Sequence, residues 1–238
     1  MPTLNLLYKD QFAVNDKIKI MIPKVGDILD NEDDYYQVVT MLTAMPIDLM
    51  VQLSDAGIDF ATINDYDLFL IMFPSLQKLD TSLIFGDLNL SKFKIDIDEV
   101  NGNFVVTDES KTVKIDRLLH GMIADTLRKI HHLEKNTKKP ADKEVQKYLL
   151  ERAKEKSKRR KKRLEESQLE SLIIAMVNTE QYKYDFEGTR ELSIYQFNES
   201  VRQVVKKVDY DNRMYGVYAG TISAKDLSQD DLNWLIHK

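Results

Sequence analysis

Residues 152–163 read RAKEKSKRRKKR, nine basic side chains in twelve with Glu155 alone against them. At about 100° per residue those nine (Arg152, Lys154, Lys156, Lys158, Arg159, Arg160, Lys161, Lys162 and Arg163) spread around the whole circumference of a helix, so the stretch has no apolar face to pack. It must be a solvated helical rod, a frayed connection, or a surface satisfied by a partner. The charge is concentrated rather than general. The chain has a formal net charge of -5; without the +9 and -1 of the run, the other 226 residues hold 25 basic against 38 acidic side chains, a net of -13. Such a patch binds phosphate backbones or an acidic protein surface. All nine are therefore candidate partner-binding residues.

Charge divides the chain into three parts. Residues 1–110 hold 7 basic and 19 acidic side chains (net -12), residues 111–166 hold 19 and 9 (net +10), and residues 167–238 hold 8 and 11 (net -3). The acidic front and basic middle can attract each other within one molecule or between copies as readily as either attracts an outside partner. With 43% hydrophobic residues in 238, the chain can bury a sizeable core as one large domain or two small ones. There is no cysteine, which removes disulfides, thiolate nucleophiles and sulfur-ligated metal sites. The opening MPTLNLLYKDQF lacks the basic and apolar regions of a signal peptide, and the longest apolar runs fall far short of the roughly 20 residues of a membrane span. The expectation is a soluble, intracellular protein without membrane contact.

Periodicity predicts an α+β fold. Ile18, Ile20 and Ile22 alternate with Lys17, Lys19 and Met21 behind an Asn15-Asp16 turn, which suits a hairpin with residues 12–14. Asn31 is placed to cap a helix with Glu32, Asp33 and Asp34 in its first turn, Pro46 to open another that Gly57 ends, and residues 63–73 form a third, buried one. Phe93, Ile95 and Ile97 then alternate, and Asn101-Gly102 before Phe104 and Val106 signals a type I′ hairpin. A third strand is expected at residues 112–115. Asp116 should cap a helix over 117–135, with Leu118, Leu119, Met122, Ile123, Leu127, Ile130 and Leu133 as its apolar stripe. These signals divide the chain into a mixed acidic part, 1–115, and a mainly helical part, 116–238.

From Pro140 no Gly or Pro interrupts the chain until past Val177, and one helix over 141–177 would be about 55 Å long. Its apolar residues lie at the two ends, with Leu169, Leu172, Ile173 and Met176 at helical spacing in the second. Beyond it, Tyr182, Tyr184 and Phe186 alternate like a short strand, and Ser193 is placed to cap a helix carrying Ile194, Phe197, Val201, Val204 and Val205. Ser228 and Asp231 resemble a capping box before a last turn, Leu232 to Ile236, that should dock.

No phosphate-cradling or nucleophile-elbow motif is present, which argues against nucleotide hydrolysis, dinucleotide chemistry and, with them, an enzyme; no cofactor is implied. His131 and His132 point apart, and His120 lies about 16 Å along the axis from His131, so the histidines make no metal site. Asp116 and His120 read as a helix-cap pair. Asp96 and Asp98 share a strand face able to hold Mg²⁺ or simply to be solvated; an EF-hand loop starting there fails at Val100, Asn101 and Thr107. The basic run has no aromatic within it and only Tyr148 nearby, so as a nucleic-acid binder it would grip phosphate without sequence preference.

The stretch IPKVGDILDNEDDYYQVVTMLTAMPIDL, the interrupted basic helix, and the ending SIYQFNESVRQVV followed by YAGTISAKDLSQDDLNWLIHK resemble tail-module proteins of phages and prophages of Gram-positive bacteria. That resemblance implies a non-enzymatic role as a tail assembly chaperone or a tail or baseplate component. It further implies other phage structural or assembly proteins as partners, and a place in the bacterial host cytoplasm during assembly or in the virion. Nucleic-acid binding through the basic run is the alternative, and self-association is compatible with either.

Overall fold

A computed structural model describes residues 5–99, 101–160 and 167–235, the side chains of 158–160 excepted. Strands β1 (Gln11–Ala13) and β2 (Lys19–Met21) form the expected antiparallel hairpin, Phe12 opposite Ile20. Asn15 closes it by accepting from the backbone N–H groups of Lys17 and Ile18. The alternation has its expected consequence, since Ile18, Ile20 and Ile22 are all buried.

Helices α1 (Val25–Leu29) and α2 (Glu32–Thr43) follow. Asn31 is the N-cap residue of α2, but its side chain makes no capping bond. Pro46 does not open a helix: Asp48 accepts from Met45 N–H and holds that segment as a turn, so α3 (Met50–Asp55) starts later. Gly57 ends α3 at a positive φ of 74°, with Ile58 N–H on Leu53 O and Gly57 N–H on Ser54 O, the two bonds of a Schellman motif. Helix α4 (Asp65–Leu76) begins at a capping box between Asn64 and Asp67 and buries Tyr66, Leu68, Phe69, Phe73 and Leu76, although Ile71 faces solvent. The short α5 (Ser82–Phe85) and a 3₁₀ turn lead to the second sheet.

That sheet is antiparallel in the order β3 (Phe93–Ile97), β4 (Phe104–Asp108), β5 (Lys114–Ile115). A two-residue turn at Asn101-Gly102 would set residue 100 opposite Asn103; instead Asp98 N–H donates to Asn103 O and Gly102 N–H to Asp98 O, giving a wider loop. Tyr66 joins the sheet to α4, its Oη within hydrogen-bond reach of Ile115 O (2.8 Å) and Phe104 O (3.1 Å).

Helix α6 (Arg117–His131) is capped by Asp116, which accepts from Leu119 N–H at 2.8 Å. It runs across α2 and α4 with Ile123, Leu127 and Ile130 inward. The apolar stripe expected here is too wide and too long: Leu118 and Met122 are exposed because the core covers only one side of the helix, and Leu133 is exposed beyond its end, since His132 turns left-handed at φ 52° and stops the helix short of residue 135. The chain continues through an extended segment into α7 (Lys143–Arg160), α8 (Gln168–Val177), α9 (Phe186–Glu191) and α10 (Ile194–Tyr218). Residues 182–185 form no strand. Asp185 instead accepts from Gly188 N–H and starts α9. Ser193 and Gln196 make a reciprocal capping box at α10, as its spacing predicts.

The architecture is α+β, with the strands of both sheets ahead of α6 and helices after it. One large core joins β2, α1, α2, α4, α6, α8 and the first turns of α10. A smaller cluster under α3 holds Ala44, Leu53, Phe60 and Leu68. Two chain-distant segments are stitched together where Val25 N–H donates to Leu192 O and Ile194 N–H to Pro23 O.

Candidate functional site

The continuous 37-residue helix expected over 141–177 is two helices. Asp142, not Pro140, starts α7 by accepting from Val145 N–H at 2.8 Å. Ser167 leaves the helical conformation at φ -55°, ψ 123° and caps α8 by accepting from Glu170 N–H. Glu32, on the first turn of α2, completes that cap: its carboxylate accepts from Leu169 N–H at 3.0 Å and from the Ser167 hydroxyl. An anion is thus held at the positive end of α8. Leu169, Ile173 and Met176 dock α8 in the core, while Leu172, expected to be buried with them, is 37% exposed.

No residue described in α7 is buried. Half-buried positions recur at Gln146, Leu149, Leu150, Ala153, Lys154 and Ser157, a narrow stripe laid on α3. Two polar contacts fasten it. Gln146 Nε2 donates to Asp59 Oδ1 at 2.6 Å, and Lys154 Nζ pairs with Asp55 at 3.4 Å. Of the nine candidate residues, then, Lys154 is turned toward the acidic part of its own chain, while Arg152 and Lys156 are exposed on the outer face with Tyr148. Lys158, Arg159 and Arg160 continue the helix backbone; Lys161, Lys162 and Arg163 lie outside the described residues.

The remaining candidates resolve into structural roles. The ring of His120 is buried and stacks on Phe69 at 4.4 Å rather than meeting Asp116. Burial lowers its pKa to about 4, Asp65 opposing and Arg128 reinforcing the shift. His131 accepts from or donates to Tyr35 Oη at 3.0 Å and is likewise held at about 4, by burial first and then by His132. Asp96 lies 3.7 Å from both Lys94 and Lys111, and Asp98 3.7 Å from Lys114, so lysines attend the two carboxylates considered for Mg²⁺. Among the described residues no cluster of three His, Asp or Glu is arranged to hold a metal. No described helix is long and apolar enough to cross a membrane.

The last part of the chain contributes a different surface. Beyond Phe197 no described residue is buried. The final segment turns back along α10: Gln203 Nε2 donates to Trp234 O, Lys206 Nζ to Asp230 O, and Arg213 pairs with Asp231. Ser228 and Asp231 form the expected reciprocal box, here in a turn rather than a helix. Docking is thus polar, and Val205, Tyr215, Tyr218, Leu232, Trp234 and Leu235 remain exposed; Ile236 lies outside the described residues. Residues 157–237 match the family model described as YomV second domain. This family is of phage-prophage type. The match takes in α8, α9, α10 and the returning tail, whereas both sheets and α1 to α6 lie outside it. No curated protein and no solved structure matches the chain.

Sequence reasoning missed several residues that position these surfaces. Arg128 is buried on α6 and reaches Asp125 (2.7 Å) and the Thr43 carbonyl at the end of α2, where a cation suits the helix terminus. Glu32 is a first-turn acid of α2, as its position predicts, but its partner is α8. Neither contact leaves a local trace, since the paired residues are 85 and 137 positions apart.

Proposed function

We propose that this chain is a non-enzymatic phage-type assembly protein, tail assembly chaperone-like or tail-associated, that works by binding other phage structural or assembly proteins. The observation that carries the reading is the C-terminal surface. The region similar to a phage-prophage-type family is also where α10 and the returning tail bury no described residue beyond Phe197 and leave aromatic side chains in solvent. Exposed aromatics such as Tyr215 and Tyr218 on α10 and Trp234 on the returning tail are of the residue types that anchor protein interfaces, since they supply large contact area at small entropic cost. Such a role places the protein in the host cytoplasm during assembly, or in the finished virion.

Co-purification from cells carrying the complete phage module tests it. Wild-type chain should retain one or more module proteins, and Tyr215→Ala with Tyr218→Ala should lose them while its thermal unfolding is unchanged. Retention of nothing by the wild type removes the reading. Exposed Arg152 and Lys156 support one second reading, nucleic-acid contact. In that case binding to duplex or single-stranded nucleic acid should fall steeply with salt, and reversing both charges should flatten the slope.

A further inference from the structure

Leu7 and Tyr8, residues 181–184 and the first half of α10 border an open pocket of about 490 Å³. Gln196 Nε2 donates to Leu7 O at 2.8 Å and ties two of these parts together. Apolar surface converges there without cover: Tyr8, Tyr184 and Leu7 are 86%, 45% and 38% exposed, and Val204 is half-buried. The charged residues of the lining, Lys183 and Glu199, cancel formally, so apolar contact rather than net charge selects what enters.

The returning tail is aimed at this pocket. Ile222 N–H donates to Gly216 O, Asp231 pairs with Arg213, Lys206 Nζ donates to Asp230 O and Gln203 Nε2 to Trp234 O, so the chain runs back along α10 toward its start. Gln203, which makes the last of these contacts, is itself a wall of the pocket. Gln196, Ser200, Gln203 and Lys207 share one helix face by their i+3 and i+4 spacing, and the Trp234 ring lies 6.0 Å from Lys207 Nζ. Tail and pocket therefore lie in line. From Gln203 to Glu199 and Gln196 is about 6 and about 10 Å along the axis at about 1.5 Å per residue. Ile236, His237 and Lys238 follow Leu235, lie outside the described residues, and can together span about 10 Å of extended chain. Ile236 is the apolar residue among them.

We propose that the pocket receives Ile236 of the same chain, against Tyr8, Tyr184 and Val204, and that the returning tail is a strap latched there. No described residue of the tail is buried, and the bonds from Gln203 and Lys206 go to its backbone carbonyls, which any sequence would offer. A latch at Ile236 supplies the buried apolar anchor that fixes this particular tail in place. Latched, the strap covers the face of α10 that carries Gln203, Lys206 and Arg213 and leaves Tyr215 and Tyr218 open; released, it uncovers both faces. The strap thus sets which side of α10 a partner meets. The latch is independent of the assembly role proposed above, and failure of either leaves the other standing.

The chain has no cysteine and one tryptophan, Trp234 on the strap itself, so both probes are free of background. In the full-length protein, Ile236→Cys with Tyr184→Cys should form an intramolecular disulfide under mild oxidation, and Ile236→Cys with Phe104→Cys, an exposed site on β4, should not. With no cysteine introduced, Ile236→Asp and Tyr184→Ala should each shift Trp234 emission to longer wavelength and lower its anisotropy, and the double variant should go no further, since one latch is lost in all three. Tyr8→Ala replaces Tyr184→Ala if that variant unfolds. No disulfide in the first pair, equal trapping in both pairs, or a Trp234 signal indifferent to Ile236→Asp overturns the proposal. So does a disulfide-linked dimer in place of the intramolecular product, which gives the pocket to the tail of a second copy. A Trp234 response to Leu4→Asp instead of to Ile236→Asp overturns it as well, and gives the pocket to the N-terminal segment.

Discussion

Helices α7 and α8 follow one another in the chain, are both free of Gly and Pro, and are held in the molecule in different ways. Helix α8 puts Leu169, Ile173 and Met176 into the core and has its start fixed by Ser167 and Glu32. Helix α7 buries no described residue and is fastened by two polar contacts, one to Asp55 at the end of α3 and one to Asp59 just beyond it. Propensity suffices to make either a helix; an apolar period decides which one becomes part of the fold. What α7 offers in return is an outer face that the fold does not use. The same contrast separates the start of α10, whose Ile194, Tyr195 and Phe197 are buried, from its outer turns.

The largest effect that would break the comparison is at the core face of α8. Ile173→Ala removes a buried side chain and should destabilise the protein by about 2–5 kcal/mol in denaturant or thermal unfolding. Leu172→Ala, one residue away and turned outward, should cost well under half as much. Equal losses at both positions would mean that α8 is covered on both sides, by a partner or another copy.

Acid sharpens the distinction through the core on which α8 stands. His120 has a folded pKa of about 4 against about 6.5 when unfolded, so between those values the unfolded chain binds more protons. Stability is full above the unfolded value and is lost as pH falls from about 6.5 toward 4; from pH 7 to pH 5 His120 alone accounts for about 2 kcal/mol. His131 acts in the same direction. Asp65 adds a further loss at lower pH, below about 4: burial raises its pKa, but the hydrogen bond and charge of Lys135 bring it below the usual carboxylate range. Unfolding midpoints measured against pH should fall accordingly, and His120→Gln should flatten the slope. Unchanged slope in that variant would contradict a neutral buried imidazole.

A third, smaller effect lies at the cap. Ser167→Ala removes the acceptor for Glu170 N–H and the hydroxyl on Glu32, and should cost about 1 kcal/mol, with hydrogen exchange accelerated in the first turn of α8 and not in α7. Protection lost along both helices would restore a single rod.

The elements that read correctly from the sequence carry their signal locally. Ile18, Ile20 and Ile22 behind Asn15 specify the first hairpin, Asp116 the start of α6, and Ser193 with Gln196 the start of α10. Ser167-Gln168-Leu169-Glu170 is a capping signature of the same kind, masked by the helix formers on both sides of it. Tyr182, Tyr184 and Phe186 mislead because alternation over so few residues does not outweigh an Asp185 poised to cap. The candidate surfaces divide in the same way. The basic run is visible as charge, whereas the exposed aromatics of α10 and the returning tail are not, since nothing in their spacing says that the core ends at Phe197. Nor is the cleft where exposed Phe104, Leu118 and Met122 come together, because α4, the β3–β4 loop and α6 meet only in the fold, and the wide apolar pattern of α6 does not say which of its residues the core leaves uncovered.

The smallest expected effect concerns the one candidate cation turned inward among the described side chains. Lys154 and Asp55 pair at 3.4 Å with both side chains substantially exposed, where water and salt screen the attraction and ordering two mobile side chains offsets much of it. Lys154→Ala should therefore shift stability by less than about 0.5 kcal/mol, and a double-mutant cycle with Asp55→Ala should return a coupling no larger than that. Arg152→Ala, facing away, should shift it by less still. Thermal unfolding of the three variants at low salt makes the measurement. A loss of more than about 1 kcal/mol at Lys154 would mean that the charge is an internal strut of the fold, and α7 would then belong with α8 rather than stand against it.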